Sequence, residues 1–255
     1  MSERLVRERN HGLNTTLLRI WGMVFLILAS AGTALLQNRL LNMTGGTSLM
    51  DALEAEGGMA IATVALILEA VEGLAIPVFC FLLVEGAVHT ANLNAYLLRV
   101  LGVAVLSELP YNFAMTGKLI DFSTRNPAFG IALGLILIWF YRRYEAKGMK
   151  NLLLKLVITA CAFLWTGILR IEHGMCCVIV IAALWLLRAK PSFRILGGSC
   201  ALMLCCLVSP FYMIAPMGFM LVHFYNGEKG PSGRLVNYLV YPVALTVIGI
   251  IGMFL

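Results

Sequence analysis

The sequence contains little charge. Lysine, arginine, aspartate and glutamate make up 13% of the 255 residues, whereas soluble globular domains carry about 25%. Apolar residues make up 60% of the chain, and the mean hydropathy is +0.89. This composition argues against a soluble enzyme or a nucleic-acid-binding protein and predicts a membrane protein. Because lipid offers the backbone no hydrogen-bond partners, the predicted fold class is all-α, a polytopic bundle of transmembrane helices.

Several sequence motifs of common enzymes are also absent. No P-loop, GxSxG or HExxH motif occurs, which argues against a nucleotide hydrolase or a zinc protease. The seven cysteines are odd in number, lie within apolar runs and show no CxxC or other metal-ligand spacing. They are best interpreted as small packing residues, so neither a structural disulfide nor a metal ion is predicted.

Apolar runs alternate with short polar gaps from Thr15 to Leu255, and a helix needs about 20 apolar residues to cross the hydrocarbon core. We predict a single transmembrane domain over residues 1–255, with nine spans. The spans cover residues 16–36, 71–90, 95–115, 128–143, 151–169, 174–188, 194–208, 210–225 and 235–254.

The placement of the cations predicts the orientation of these spans. With a cytoplasmic N-terminus, four of the 19 lysines and arginines lie outside, namely Arg39, Lys118, Arg125 and Arg170, and the other 15 lie inside. Cytoplasmic loops are enriched in lysine and arginine in this way. The predicted orientation is therefore N-terminus inside and C-terminus outside.

The connections carry much of the remaining polarity. Residues 1–14 form a basic cytoplasmic tail that is typical of an anchor at an anionic membrane surface. Residues 37–58 are predicted as an extracytoplasmic loop. The segment at 59–90 is interpreted as a re-entrant or interfacial helix that leads into a span kinked at Pro77. Residues 194–225 are predicted as two short spans joined by a tight turn.

The inner loop at residues 141–150 (YRRYEAKGMK) is strongly basic. Arg142 and Arg143 end the fourth predicted span. The favoured interpretation is an anchor at the membrane surface, and the alternative is a binding site for a phosphorylated ligand such as coenzyme A.

Carboxylates within apolar segments are candidates for function, because a charge at the centre of the bilayer costs on the order of 3 kcal/mol. Four carboxylates meet this criterion: Glu69, Glu72, Glu85 and Glu108. Each is expected to have a partner or a role.

Glu85 and His89 are four residues apart, so they share one helix face. The hairpin between their span and the next can bring Arg99 close to His89. Such a trio has the groups of a general base, its orienting partner and an anion clamp, and Glu108, on the span of Arg99, is assigned with it to substrate binding. A buried network that fixes the hairpin is an equally good interpretation of the residues alone.

A second candidate pair, Glu172 and His173, lies in the short connection between the fifth and sixth predicted spans. An adjacent glutamate and histidine can act as a base and its orienting partner. The interpretation as solvated loop residues is favoured over catalysis here.

The segments that carry these candidates resemble the central motif of the TraX family. Residues 75–90 read AIPVFCFLLVEGAVHT, residues 94–99 read NAYLLR, and residues 104–111 read AVLSELPY. In order and spacing they are similar to the family's AFPxFxF, EGxxHT, YxxRL and SExPF steps. Weaker similarity continues through YNGEKG at residues 225–230 and through Tyr241-Pro242.

The resemblance implies an acyltransferase. TraX proteins are integral membrane proteins, and the founding member is associated with N-terminal acetylation of pilin. The implied reaction is acyl transfer from a cytoplasmic thioester, acetyl-CoA, to an amine or hydroxyl of a peptide, sugar or lipid acceptor at the membrane. His89 would take the acceptor's proton, Glu85 would orient the imidazole, and Arg99 would bind a phosphate or a developing anion.

The sequence departs from the family pattern at two histidines. Ser30 and Ala244 stand where the family has them. One hypothesis is a divergent acyltransferase that uses His89 or His173 instead. A second is a degenerate relative that acts as a binding or scaffold protein. A third is a transporter of small molecules or lipids, which also places carboxylates within the membrane.

Overall fold

The computed structural model describes residues 12–43, 48–146, 148–231 and 234–255. Within these ranges the chain is helical, apart from turns and two isolated β-bridges, which confirms the all-α prediction. The helices are α1 (Thr15–Ala31, continued as a π-helix over Gly32–Leu40), α2 (Leu49–Glu54), α3 (Gly58–His89), α4 (Leu93–Thr116), α5 (Ala128–Arg143), α6 (Met149–Ile168), α7 (Gly174–Leu186), α8 (Pro191–Cys205), α9 (Gly218–His223) and α10 (Arg234–Ile251).

Four helical segments of the described chain are long and apolar enough to cross a membrane. They are α1 with its π-helical continuation, α3, α4 and α6. Further apolar helices are shorter, among them α7 with 13 residues and α8 with 15. The length and composition of the helices therefore agree with a membrane protein.

Helix α3 forms the centre of the bundle. Its middle is buried over Ala75–Val78 and Cys80–Val84, and it packs against α1, α7, α9 and the turns before α9. The predicted division of residues 59–90 into a re-entrant or interfacial helix and a span that follows it is wrong, because Gly58–His89 is one helix. Small residues accommodate Pro77: Gly73 faces Ala215, and Gly218 lies against Leu74 and Pro77.

Two other predicted boundaries also change. The first span does not end at residue 36, since the π-helix extends it to Leu40, and α2 lies within the predicted loop at 37–58. Residues 210–225 do not form one helical span. They form two 3₁₀ turns, Pro210–Met213 and Ala215–Met217, followed by the six-residue α9, because Pro216 removes a backbone donor that a continuous helix needs.

Contacts between helix ends define two faces of the bundle. On one face, Leu13 pairs with Tyr225, Glu85 contacts Arg194, and Arg188 contacts Glu145. This face, called the basic face below, holds the start of α1, α4, α6 and α8 and the end of α3, α5 and α7. The opposite face holds the connections at 117–127 and 169–173, which pair through Arg125 and Ile171. The basic face is the one for which the sequence predicts a cytoplasmic location.

The turn between α3 and α4 is short because α4 starts with a side-chain cap. The Asn92 carboxamide oxygen accepts a hydrogen bond from the backbone N–H of Ala95 at 2.9 Å. An asparagine at this position satisfies a donor that the first turn of a helix leaves free. The turn therefore holds His89 and Arg99 on neighbouring helices at the basic face.

Candidate functional site

A cavity of about 400 Å³ opens at the basic face between α1, α3, α4 and the 225–231 connection. Its polar and charged lining residues are Thr15, Arg19, Glu85, His89, Thr90, Tyr96, Arg99, Tyr225, Lys229 and Tyr238. The predicted residues Glu85, His89 and Arg99 thus line one cavity. We call it the basic cavity.

Within the basic cavity, Glu85 and His89 are in direct contact. The His89 Nδ1 atom lies 3.4 Å from Glu85 Oε2 and 2.9 Å from the backbone oxygen of Glu85. Both neighbours are acceptors, which favours the tautomer with hydrogen on Nδ1 and a lone pair on Nε2. The His89 side chain is 62% exposed, so the pair has the arrangement of an oriented base that an acceptor can reach.

Arg194 of α8 completes the surroundings of Glu85. Its Nη1 atom lies 2.7 Å from Glu85 Oε1, and its guanidinium lies 4.5 Å from the ring centroid of Phe81. Both side chains of this ion pair are mostly buried. This contact cannot be predicted from the sequence, because Arg194 lies on a distant helix and is one of many cations of the basic face.

Arg99 lines the cavity but forms neither an ion pair nor a hydrogen bond with Glu85 or His89. Its Nε donates to the backbone oxygen of Ala95 at 3.1 Å, and its guanidinium lies 5.9 Å from the Tyr96 ring centroid. With Arg19 and Lys229 it gives the cavity three cationic side chains. These cations suit an anionic ligand.

Arg142 and Arg143 lie on the other side of the α3–α4 turn. With Asn92, Asn94 and Trp139 they line an open groove. Arg142 donates to the backbone oxygen of Ala87 and lies over Trp185, and Arg143 lies over Trp139. The groove and the basic cavity therefore flank the same short turn.

Glu108 lies about 13 Å along α4 from Arg99, at 1.5 Å per residue. It contacts Arg125 Nη1 at 2.9 Å and accepts hydrogen bonds from the side chain and backbone of Asn126 at 2.7 and 3.2 Å. These contacts attach the 117–127 connection to α4. The structure thus does not bring Glu108 together with the basic cavity.

Glu172 and His173 are not solvated loop residues; they join Glu72 in a polar cluster deep in the bundle. His173 Nε2 lies 3.2 Å from Glu72 Oε1, and His173 Nδ1 lies 2.6 Å from the Tyr212 hydroxyl. The Tyr111 hydroxyl donates to Glu172 Oε2 at 2.7 Å. The two adjacent residues therefore have separate partners, and the predicted pairing of Glu172 with His173 is replaced by a pairing of His173 with Glu72.

Burial and the neighbouring carboxylates shift the pKa values of Glu172 and His173. Burial, and secondly the nearby Glu72 carboxylate, raise the pKa of Glu172 to about 7. Burial lowers the pKa of His173, but Glu72 and Glu172 outweigh it, so that the pKa is raised to about 10. His173 therefore holds a proton near neutral pH and is a poor general base in this state.

An apolar cleft of about 180 Å³ lies beside the polar cluster. Glu72, His173 and Tyr241 lie in its wall, and Arg19 and Tyr238 belong to both this cleft and the basic cavity. Glu72 and Glu85 are about 20 Å apart along α3. The apolar cleft thus borders both the polar cluster and the basic cavity.

The sequence indicated some of these residues and not others. The sequence identifies Glu72 as a costly carboxylate. Tyr111 and Tyr241 occur only as parts of the family resemblance, and Tyr212 gives no signal, since tyrosines are common in apolar helices. His173 has a left-handed backbone with φ of 53°, which residue type alone does not reveal.

Comparisons with known proteins give a family and one curated relative. The profile of the TraX protein family matches residues 60–252. The chain is 28% identical over 202 residues to the probable fimbrial assembly protein FimC, serogroup H1, of Dichelobacter nodosus, and the match covers 71% of this chain and 81% of that protein. No solved structure matches the chain. The region matched by the profile contains Glu72, Glu85, His89 and His173.

Proposed function

The chain belongs to the TraX family, and from this premise we propose that it transfers an acyl group from acyl-CoA, with acetyl-CoA as the donor, to an amine or hydroxyl acceptor at the membrane. The observation that carries the proposal is the basic cavity, which is lined both by the Glu85–His89 pair and by three cationic side chains. A fimbrial subunit is one candidate acceptor, because the relative in Dichelobacter nodosus carries a fimbrial assembly name.

The charges of the basic face suit a donor that carries phosphates. Arg142 and Arg143 line the groove on one side of the α3–α4 turn, and Arg19, Arg99 and Lys229 line the cavity on the other. Guanidinium groups bind phosphate through charge-assisted, bidentate hydrogen bonds. In this proposal the donor's phosphates lie at the cations, and its thioester reaches the cavity that holds His89.

His89 is the proposed general base. Transfer requires the acceptor nitrogen or oxygen to attack the thioester carbonyl and lose its proton, while the carbon–sulfur bond breaks and the thiolate of coenzyme A leaves. The lone pair on His89 Nε2 takes the acceptor proton, which then passes to the thiolate. Glu85, held by Arg194, orients the imidazole and stabilises its cation. Arg99 is the proposed partner of the carbonyl oxygen as it gains charge.

Removal of the His89 imidazole tests this proposal. We expect His89→Asn to lower the transfer rate by about 10²- to 10⁴-fold, the usual contribution of a general base. Stability in detergent should change little, because the His89 side chain is mostly exposed. The measurement is transfer of label from acetyl-CoA to a panel of membrane extracts by the purified protein.

His223→Asn is the matched control. His223 ends α9 at the same face and stacks edge-on with Phe224, but it does not line the basic cavity. Its variant should retain the wild-type rate. Equal rates for the wild type and His89→Asn would overturn the assignment of the base, and a folded wild-type protein without transfer or coenzyme binding would overturn the proposed activity.

A second candidate function is a binding or scaffold protein without turnover. The observation that favours it is the substitution at the two family histidines, where Ser30 is buried and Ala244 is partly buried. In this case the protein binds acetyl-CoA but transfers no label, and His89→Asn leaves the affinity for acetyl-CoA unchanged. The same experiment therefore separates the two functions.

A further inference from the structure

The proposed transfer does not use the cluster of Glu72, Glu172 and His173. Ligand atoms of these three residues lie within 4.8 Å of one another. Two carboxylates share this site with one imidazole, and Glu72 is only 6% exposed. Buried carboxylates are costly unless a cation or several hydrogen bonds compensate them.

We propose that this cluster binds a divalent transition-metal ion such as Zn²⁺, with His173 Nε2 and one carboxylate oxygen each from Glu72 and Glu172 as ligands. Imidazole and carboxylate are both common zinc ligands. His173 Nε2 and Glu72 Oε1 are 3.2 Å apart, close to the separation of about 3.3 Å between two ligands in a tetrahedral site with bonds of about 2.0–2.1 Å. Glu172 has to turn towards the ion to complete the set.

The outer partners hold these ligands in a suitable state. Tyr212 lies 2.6 Å from His173 Nδ1, so that Nδ1–H can donate to the Tyr212 oxygen. When the ion binds, the Nε2 proton of His173 is released to solvent, and the lone pair that it leaves on Nε2 binds the ion. The Tyr111 hydroxyl binds Oε2 of Glu172, which leaves Oε1 for the ion. Metal-bound histidines and carboxylates usually have such outer hydrogen bonds, which fix their orientation.

Independent support comes from Tyr241 in the same cleft. Its hydroxyl is buried without a hydrogen-bond partner, and the residue is 3% exposed. Most buried polar groups have a partner, so an ion or a water bound to it would satisfy this hydroxyl. His173 Nε2 is likewise buried without a well-directed hydrogen bond, despite its short distance to Glu72.

The backbone of His173 supports the same assignment. The residue precedes α7 with φ of 53°, a region that non-glycine residues rarely adopt and that persists only where the surroundings impose it. Strained residues of this kind cluster at functional sites. Here the conformation accompanies contacts of the imidazole with both Glu72 and Tyr212.

The sequence predicts no metal ion because its ligands are distant in the chain. Glu72 lies in the middle of α3, and Glu172 and His173 lie between α6 and α7. Spacing rules detect ligands that a single turn or helix brings together. Only the packing of α3 against α7 creates this cluster.

Zinc binding to the purified protein tests the inference. The affinity tag is removed, the protein is treated with chelator in detergent, and Zn²⁺ alone is titrated by calorimetry. We expect one ion per chain, and Co²⁺ should give visible d–d absorption bands. Glu72→Gln should weaken binding by more than the 10- to 100-fold typical for loss of an outer partner, and Tyr212→Phe by about 10- to 100-fold.

Glu69→Gln is the matched control, since Glu69 lies one turn away on α3 and accepts a hydrogen bond from Gln37. It should retain the wild-type affinity. Absence of stoichiometric binding to the wild type, or equal affinity in Glu72→Gln, would overturn the metal site. If Glu72→Gln does not fold, Tyr212→Phe and the cobalt spectrum of the wild type decide the question.

The inference goes beyond the proposed acyl transfer and does not depend on it. Zinc binding is measured without an acyl donor. The proposed acyl transfer is tested separately with His89→Asn, which changes the basic cavity and not the metal ligands. A failure of the zinc-binding experiment can thus be distinguished from a failure of the acyl-transfer experiment.

Discussion

Glu85 is the side chain on which the basic cavity depends, because it contacts both His89 and Arg194. The Arg194–Glu85 pair is mostly buried, with side-chain exposures of 14% and 15%. Arg194→Met leaves the Glu85 carboxylate in this environment without its cation. We expect a loss of about 3–5 kcal/mol in the free energy of unfolding, measured by denaturant titration in detergent.

Arg188→Met provides the control for this prediction. Arg188 pairs with Glu145, whose side chain is 53% exposed, and exposed pairs contribute about 0–1 kcal/mol. Both arginines also lie over an aromatic ring, Arg194 over Phe81 and Arg188 over Trp185. Comparable losses in the free energy of unfolding for the two variants would show that the burial of the Arg194–Glu85 pair does not make it more stabilising than an exposed pair.

Contacts between near neighbours in the sequence could be predicted, and contacts between distant helices could not. The i, i+4 spacing of Glu85 and His89 correctly predicts their contact. Arg99 lies beyond the capped turn and lines the same cavity without joining the pair. Arg194 and Tyr212 come from later helices, and no periodicity relates them to Glu85 or His173.

The packing of α9 onto α3 depends on a glycine. A β-carbon at Gly218 would come closer than 3.0 Å to the carbonyl oxygen of Leu74 and to Pro77. A backbone atom cannot move aside as a flexible side chain does. We expect Gly218→Ala to destabilise the protein by about 1–3 kcal/mol, the usual cost of overpacking, as measured by thermal unfolding in detergent.

Gly102→Ala in α4 shows the opposite case. Nothing lies within 4 Å of a β-carbon at that position, and alanine favours a helix over glycine by up to about 1 kcal/mol. The variant should be as stable as the wild type or slightly more stable. A similar loss in both variants would mean that the close approach at Gly218 is not the cause.

Helix boundaries were less predictable than the helices themselves. Hydropathy located the apolar segments, but it could not reveal that Pro77 remains inside one helix. The packing around Pro77 is equally hidden from hydropathy, since Gly218 lets the neighbouring turn lie directly against Leu74 and Pro77. The π-helical continuation of α1 and the break of residues 210–225 into short turns are further features that hydropathy does not detect.

The whole bundle has a basic face and an opposite face, and the distribution of cations predicts that the basic face is cytoplasmic. Glu145 lies on the basic face and Lys118 on the opposite face, and both are exposed. In a background without the exposed Cys161 and Cys200, a membrane-impermeant maleimide should label Lys118→Cys in intact cells. Glu145→Cys should be labelled only after permeabilisation.

The reverse labelling pattern would contradict the orientation and place the basic cavity outside the cytoplasm. Coenzyme A would then have no access to the proposed donor site. The helix directions themselves follow from the sequence, because each short polar gap reverses the chain. The position of the apolar cleft beside the basic cavity did not follow from it, since both depend on how α1, α3, α4 and α10 fit together.

Helix α7 contains 13 residues and is about 20 Å long, whereas the hydrocarbon core of a bilayer is about 30 Å thick. Nine of its 13 residues are buried against neighbouring parts of the bundle, so protein and not lipid covers most of this helix. His173 lies directly before this helix. The length of α7 therefore need not match the thickness of the bilayer, and the connection before it can fold inward and bring His173 to Glu72.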